Sequence, residues 1–449
     1  MASLVNLSLS TNFLSGSIPQ TFANLSKLKV LSLYENQLSD IIPTSIGQLE
    51  NLVNLQFSSN NFSGNLPQQL CVGGSLSYLA ANDNSFTGPI PKDLRNCTSL
   101  LRVRLENNQL KGNISEAFGS YPLLAYINLS NNKFYGEISS NWGKCPNLTT
   151  LITSRNDITG RIPPELRKSS LFELDLSSNR LIGEIPKELW KMKFLFVLNL
   201  SHNQLSGSLP SEIRKLSNLE YLDLSANNLT GPIPEQLGDC FKMLYLHLGE
   251  NRFNGSIPKQ MGNMIFLQFL MDLSHNQLLG EIPLEIGRLQ MLEILNLSYN
   301  MLSGSIPSSF EEMISLISID VSYNELAGPI PKSKASKDAP IKAFTNNKAL
   351  CGNVAIGLPS CNPSMIEKRN TGKKPRNCLD FSKKSRKKIE MGQTERSDQR
   401  DLFVICNYDG RIVHENIIEA THNFDDKHCI GKGGNESVYK ALYTYHQDN

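Results

Sequence analysis

The apolar residues of this chain are periodic almost from its first residue. An Asn recurs at positions 12, 36, 60, 84, 108, 132, 156, 179, 203, 227, 251, 276, 300 and 324, in steps of 24 except for 23 into Asn179 and 25 into Asn276. Leucines hold fixed places around it. One clean unit runs Leu219, Leu222, Leu224, Asn227, Leu229, Gly231, Ile233, Pro234 and Leu237, or L-x-x-L-x-L-x-x-N-x-L-x-G-x-I-P-x-x-L. The L-x-L alternation predicts a short strand with its leucines turned inward, because successive side chains of a strand face opposite ways. A single unit cannot bury those leucines. Fourteen strands stacked at about 4.8 Å into one parallel sheet can, over a continuous core. The recurrent Asn follows the strand where the backbone turns inward, so its amide can satisfy buried N–H and C=O groups that no ladder reaches. Gly supplies the φ values of the next turn, and Pro ends strand pairing and bends the chain to the convex side. Asp40 replaces the Gly in the second unit, and Ser115 and Ser139 replace the Pro in the fifth and sixth.

Composition narrows the reading. The 449 residues would fill about three globular domains of about 150 residues each, yet 60 of the 64 Leu lie before residue 351, so the excess belongs to one array. Apolar content of 40% with 19% charged residues excludes a wholly unfolded chain, and 30 Gly with 22 Pro excludes a collagen-like one. A net charge of +2 selects no partner. Since no stretch approaches 18 consecutive apolar residues, no segment is expected to span a bilayer. Met1 to Leu7 carries neither a basic n-region nor an apolar h-region, so a signal peptide is not expected. Nine Cys without a C-x-x-C, and seven scattered His, give no zinc spacing. With no G-x-S-x-G or H-E-x-x-H either, metal and hydrolase chemistry are not expected.

The L-x-G-x-I-P signature at this period resembles the plant extracellular class of leucine-rich repeats over residues 1–331. The resemblance implies an α/β-type repeat solenoid, a right-handed leucine-rich repeat superhelix with its parallel sheet on the concave face. Asn346, Asn347, Lys348, Ala349, Leu350, Cys351 and Gly352, then Cys361, are similar to the C-terminal cap of leucine-rich repeat receptor-like kinases, which assigns a cap to residues 332–361. In those caps the two cysteines pair, which would make Cys351–Cys361 a disulfide; two free thiols are the alternative. Cys71, Cys97, Cys145 and Cys240 fall on the convex side and read as buried single thiols. Eleven N-x-S/T sequons lie in the array, at Asn6, Asn24, Asn61, Asn96, Asn113, Asn128, Asn147, Asn199, Asn228, Asn254 and Asn296. Of these, Asn24, Asn61, Asn96, Asn113, Asn147, Asn228 and Asn254 are the glycosylation candidates. Their density fits a secreted ancestry, although N-L-S and N-L-T partly follow from the repeat itself.

Residues 362–400 form a basic, Leu-poor linker with 12 Lys or Arg against 5 Asp or Glu, expected to be disordered and solvated. Membrane-surface binding is its functional alternative; a nucleic-acid patch is disfavoured because no aromatics interleave. Over residues 401–449, Tyr408 to Val413, Ile417 to Thr421 and Ile430 to Ala441 look like a receptor kinase's juxtamembrane segment running into its Gly-rich loop. The wording of this tail is similar to the male-discoverer-interacting receptor-like kinase subgroup. The resemblance implies a parent family of ATP- and Mg-dependent serine/threonine kinases of the plasma membrane with extracellular repeats. Gly431, Gly433 and Val438 then read as a degenerate nucleotide-binding remnant, because Glu436 stands where the loop's third glycine belongs. No catalytic-loop Asp, metal-binding Asp or V-A-I-K lysine follows, so a truncated kinase start without phosphoryl transfer and without a cofactor is expected. Kinase activity and a soluble leucine-rich repeat decoy or inhibitor are the rival readings.

The expected activity is recognition of a secreted peptide, of a leucine-rich repeat co-receptor kinase, or of both; nucleic acid is not an expected partner. Outward positions of repeats 4 to 7 depart from the Asp-x-Ser and Asn-x-Ser background. Repeat 5 presents Arg102 and Arg104 about 7 Å apart on one strand face, with Glu106 next along. The repeat register places Tyr78 and Tyr126 beside Arg102, with Asp83 and Arg155 nearby. Two adjacent guanidiniums repel unless an anion joins them, and Arg suits bidentate carboxylate capture. The R-x-R pair resembles the device by which some peptide receptors of the family hold a ligand's C-terminal carboxylate. A solvated Arg104–Glu106 pair without function is the alternative. Repeat 1, beginning at Leu4, is expected to be the weak edge of the array.

Overall fold

The computed structural model describes residues 3–352, 357–361, 429–432 and 437–439, and the chain divides into two compact units, Met1–Gly372 and Lys373–Asn449. In the first unit fourteen short strands, from Asn6–Ser8 to Ser318–Asp320, pair in parallel in chain order to form one sheet. Each strand lies one repeat from its neighbour, so Leu7 pairs with Leu31 and Leu31 with Leu55. The inward leucines Leu31, Leu55, Leu222 and Leu224 are fully buried in one continuous core, each such side chain contributing about 2 kcal/mol by transfer from water.

The recurrent Asn does what its position implies. In repeat 10 the Asn227 amide donates to the carbonyls of Leu200, Leu224 and Ser225 at 3.0, 3.2 and 3.1 Å, and its Oδ1 accepts from Leu205 N–H at 2.9 Å. One side chain thus serves three buried acceptors and one donor across the repeat boundary. The residue just before it is left-handed in every repeat, with φ of 55° at Thr11, 54° at Arg155, 50° at Ala226 and 52° at Tyr299. Asp40 occupies the left-handed position that Gly takes in other repeats, at φ 66° against 72° for Gly64.

Beyond the Asn the chain forms a second layer of strands, in sheets of seven, two and six. The seven-stranded sheet ends at Asp157–Thr159 and the two-stranded one begins at Ile182–Glu184, an interruption that coincides with the 23-residue step into Asn179. The convex side is built from 3-10 turns opened by the repeat Pro, such as Glu235–Asp239 after Pro234. The helical component of the α/β repeat is therefore mostly 3-10. Where Ser115 replaces Pro, the Asn113 side chain accepts from Ser115 N–H and starts the α-helix Ile114–Ala117 instead. Gly238 lets successive convex turns approach, since a Cβ there would collide with the Gln260 carbonyl.

One expectation about the cysteines fails. Cys71 and Cys97 are not single thiols: they form a disulfide with their Cα atoms 5.9 Å apart. In repeat 3 a turn through Gly73 and Gly74 replaces the usual 3-10 helix and places Cys71 opposite Cys97, which ends the next one. Cys145 and Cys240 are free and buried, as expected. Cys351 and Cys361 are paired across a Cα separation of 5.0 Å. Before them, the helix Lys334–Asp338 and the turn Ile341–Phe344 bury Ala335, Ala343 and Phe344 against the end of the array.

At the other end, strand Asn6–Ser8 has a single neighbour in the sheet, Leu7 is only half-buried and Phe13 is 89% exposed. In the second unit Cys429–Lys432 pairs antiparallel with Ser437–Tyr439, Gly431 opposite Val438. Gly433, Glu436 and the basic linker 362–400 lie outside the described residues. Among the described residues no helix is long and apolar enough to cross a membrane.

Candidate ligand-binding face

The concave sheet turns two residues of each strand toward solvent, and its register is set by the buried leucines between them. Strand Arg102–Arg104 lies between Tyr78–Ala80 and Tyr126–Asn128. Arg102 therefore stands between Tyr78 and Tyr126, and Arg104 between Ala80 and Asn128. The Arg102 guanidinium carbon lies 3.9 Å from the Tyr126 ring centroid, a cation–π contact that fixes its plane. Arg104 donates from Nε to Glu106 Oε1 at 2.8 Å, and its second terminal nitrogen reaches the same oxygen at 2.7 Å. Glu106 is 5% exposed, so this pair is better shielded than a surface ion pair. The structure thus contains the Arg104–Glu106 pair that a purely structural reading requires, and Arg102 beside it on an aromatic face.

The other candidates occupy a neighbouring column, at the left-handed position of each repeat. Asp83, Asn107 and Asn131 are linked by side-chain hydrogen bonds of 2.6 and 2.9 Å. Asp83 also accepts from Asn82 at 2.6 Å. Arg155 continues the column as an exposed side chain three repeats from Asp83. Tyr78, Arg102, Arg104, Glu106 and Tyr126 are brought together; Asp83 and Arg155 flank them. Asn128 is 9% exposed, and its Oδ1 accepts from Ser130 N–H at 3.0 Å. At that exposure the sequon beside the arginines is poorly placed for modification. Asn24, Asn61, Asn96, Asn147 and Asn254 are exposed, Asn228 is half-buried, and Asn113 is half-buried as a helix cap.

Several features of the same face escape a reading by consensus. In repeat 7 Ile152 replaces the usual Asp or Asn, and the Ser154 hydroxyl, buried beside it, has no hydrogen-bond partner among the described residues. In repeat 8 the same position holds Asp175, whose Oδ1 accepts from Ser177 N–H at 3.0 Å. Farther along, Tyr221 and Tyr245 stack with centroids 4.2 Å apart, and burial pushes both hydroxyl pKa values up, that of Tyr245 to about 12. His247 lies 3.7 Å from Asp223 and 3.6 Å from Asp272. Aligning the outward positions column by column brings out the two tyrosines. A cleft of about 1180 Å³ lies on the second-layer side between Asn113 and Pro210, and its lining includes neither Arg102 nor Arg104.

Leucine-rich repeat models match residues 2–62, 169–229, 270–289 and 291–313. The solved ectodomain of the Arabidopsis receptor kinase HAESA, in complex with an N-terminally extended IDA peptide hormone, is 30% identical, with a TM-score of 0.57 over 78% of this chain and 74% of that one. The chain belongs to the leucine-rich repeat family. The structure of PEPR1 with AtPEP1 matches this leucine-rich repeat protein with a TM-score of 0.74 and 33% identity over 78% of this chain. MDIS1-interacting receptor like kinase 2 of Arabidopsis thaliana is 43% identical over 24% of this chain. The chain spans half the length of the PEPR1 structure and 12% of that kinase.

Proposed function

We propose that this chain is the recognition part of a plant receptor-like kinase and that its concave face binds a secreted peptide by the peptide's C-terminal carboxylate. The carrying observation is the placement of Arg102 between Tyr78 and Tyr126, with Arg104 oriented by Glu106 on the same strand. A carboxylate arriving at Arg102 meets a guanidinium whose plane Tyr126 already holds, so little rotamer entropy is lost on binding. Arg104 adds positive potential while Glu106 limits the repulsion between the two cations. The peptide ligands in the PEPR1 and HAESA structures support this reading, as does the co-receptor SERK1 in a further HAESA complex. A co-receptor kinase of that kind is the proposed second partner, and the plasma membrane the proposed site of the parent protein.

The test uses a library of extended synthetic peptides in two forms, with a free C-terminal carboxylate and with a C-terminal amide. Binders in the first form should weaken about tenfold or more on amidation, and similarly in Arg102→Ala, the loss expected for one charge-assisted contact. Binders indifferent to both changes would exclude carboxylate capture. The reading assigns recognition, not phosphoryl transfer, to this chain, so autophosphorylation by the purified protein would contradict it.

A further inference from the structure

The loops that carry the chain from the convex turns into the concave strands form one rim of the solenoid, and the two halves of this rim differ. In the first half it bears the sequons Asn24, Asn96 and Asn147 and exposes fewer large apolar side chains, Val72 and Leu123 among them. From the loop entering repeat 8 to that entering repeat 14 it bears no sequon, and every loop but that entering repeat 10 exposes a large apolar side chain. Phe194 is 60% exposed and Ile314 78%. Phe172 and Phe194 touch across adjacent repeats, their centroids 6.2 Å apart.

Charge along this apolar row is asymmetric. The convex turns and loops leading into repeats 8, 9 and 10 carry Arg167, Lys168, Lys191, Lys193, Arg214 and Lys215, all exposed, beside the half-buried Glu165, Glu188, Glu212 and Glu220. None of the six basic side chains has a hydrogen bond or ion pair among the described residues. The turns and loops leading into repeats 13 and 14 carry the exposed Glu311 and Glu312 and the half-buried Glu293, with Arg288 the cation that departs from the pattern. One chain therefore presents both a basic stretch over three repeats, aromatic in the first two, and an acidic–aliphatic stretch over two.

We propose that this rim joins two copies of the chain antiparallel about a twofold axis through the loop of Phe241 and Lys242. A twofold interface is self-complementary: whatever residue i meets on the partner, that residue's own copy meets i. Centred at repeat 11, the operation sets Arg167 and Lys168 against Glu311 and Glu312, and Phe172 against Ile314 and Ile317. One repeat inward, Lys191 and Lys193 face Glu293 while Phe194 and Phe196 face Met291. At the axis the two Phe241 side chains meet, and Lys242 is held aside by Asn218 at 2.9 Å. Six repeat steps make a stripe about 29 Å long, and one loop about 15–20 Å wide gives roughly 500 Å² per partner, the lower bound for a specific dimer. An anionic membrane or an acidic polymer would satisfy the basic half alone; only a second copy also uses the acidic half.

Sedimentation of the full chain at graded concentration should show a monomer–dimer equilibrium that weakens with salt. Arg167→Glu with Lys168→Glu should weaken the dimer about tenfold or more, and so should Glu311→Lys with Glu312→Lys, in line with loss of paired interface charges. Mixing the two variants restores both charge pairs in one heterodimer, so the mixture should associate about as tightly as the unaltered chain. Circular dichroism of each variant separates lost association from lost folding. A chain that stays monomeric, a mixture of folded variants that fails to associate, or a monomer that instead binds phosphatidylserine-containing vesicles through this rim would overturn the proposal.

Discussion

Single residues hold this fold where backbone polarity meets the core. Asn227 satisfies four main-chain groups, and Asn203 and Asn251 repeat the pattern on either side. Asn227→Ala should destabilise the protein by about 2–4 kcal/mol, because several buried groups lose their partners together. A urea midpoint shifted by less than an ordinary surface substitution produces would contradict this. The role of the Asn was legible in the sequence because the residue type is fixed. The left-handed position before it was not, since Thr11, Arg155, Ala226 and Tyr299 share only a backbone angle. Cys240 offers a second residue-scale test: burial, assisted by the charge of Asp239, pushes its thiol pKa from 9.0 to about 12. Folding favours its protonated form, so that stability is complete below pH 9 and falls by about 1.4 kcal/mol per pH unit as pH rises through the window toward 12. Urea midpoints between pH 8 and pH 11 should fall more steeply for the unaltered chain than for Cys240→Val.

At the scale of the element, the inward leucines and the Pro of each unit made strands and convex turns legible, and the exceptions follow local chemistry. Ser115 in place of Pro gives an α-helix capped by Asn113, and the Gly73–Gly74 turn replaces a helix and allows the Cys71–Cys97 bridge. That bridge was illegible because its partners lie 26 residues apart, a spacing that matches no repeat step, and pairing depends on a turn in three dimensions. It closes a loop that in the chain-entropy account contributes about 3.5 kcal/mol. In a solenoid such stabilisation stays close to where it arises, since each repeat touches only its neighbours. Replacing both cysteines by Ala should therefore accelerate hydrogen exchange in repeats 3 to 5 while leaving repeats 9 to 14 unchanged. Uniform acceleration along the array would mean that the elements do not behave as a one-dimensional chain. The Arg102–Tyr126 and Arg104–Glu106 contacts show the same division between pattern and chemistry. Register placed these residues side by side and the two-residue strand period put Glu106 within reach of Arg104, whereas the choice of Tyr126 for the Arg102 guanidinium needed side-chain geometry.

At the largest scale the first unit, Met1–Gly372, is a stack whose two ends differ. At the C-terminal end Phe344 and Leu350 are buried and the Cys351–Cys361 bridge ties the last turn. At the N-terminal end strand Asn6–Ser8 is the edge of the sheet, with Val5 41% and Leu14 40% exposed. Stability in such a stack is the sum of weak intrinsic terms and strong interfaces between neighbours, so a terminal repeat with one interface opens before an interior repeat with two. Leu4, Leu7 and Leu9 are only partly buried against the core, whereas the matching leucines of repeat 2, Leu28, Leu31 and Leu33, are 0 to 1% exposed. The difference in buried apolar surface, at about 25 cal/mol per Å², amounts to several kcal/mol across three leucines. Amide exchange should consequently rise steeply from repeat 3 toward residues 6–16, well before global unfolding, while residues 320–351 exchange with the interior of the array. Protection in repeat 1 equal to that of repeats 6 to 10 in the monomeric chain would show that the edge is stabilised by contacts the stacking picture does not include.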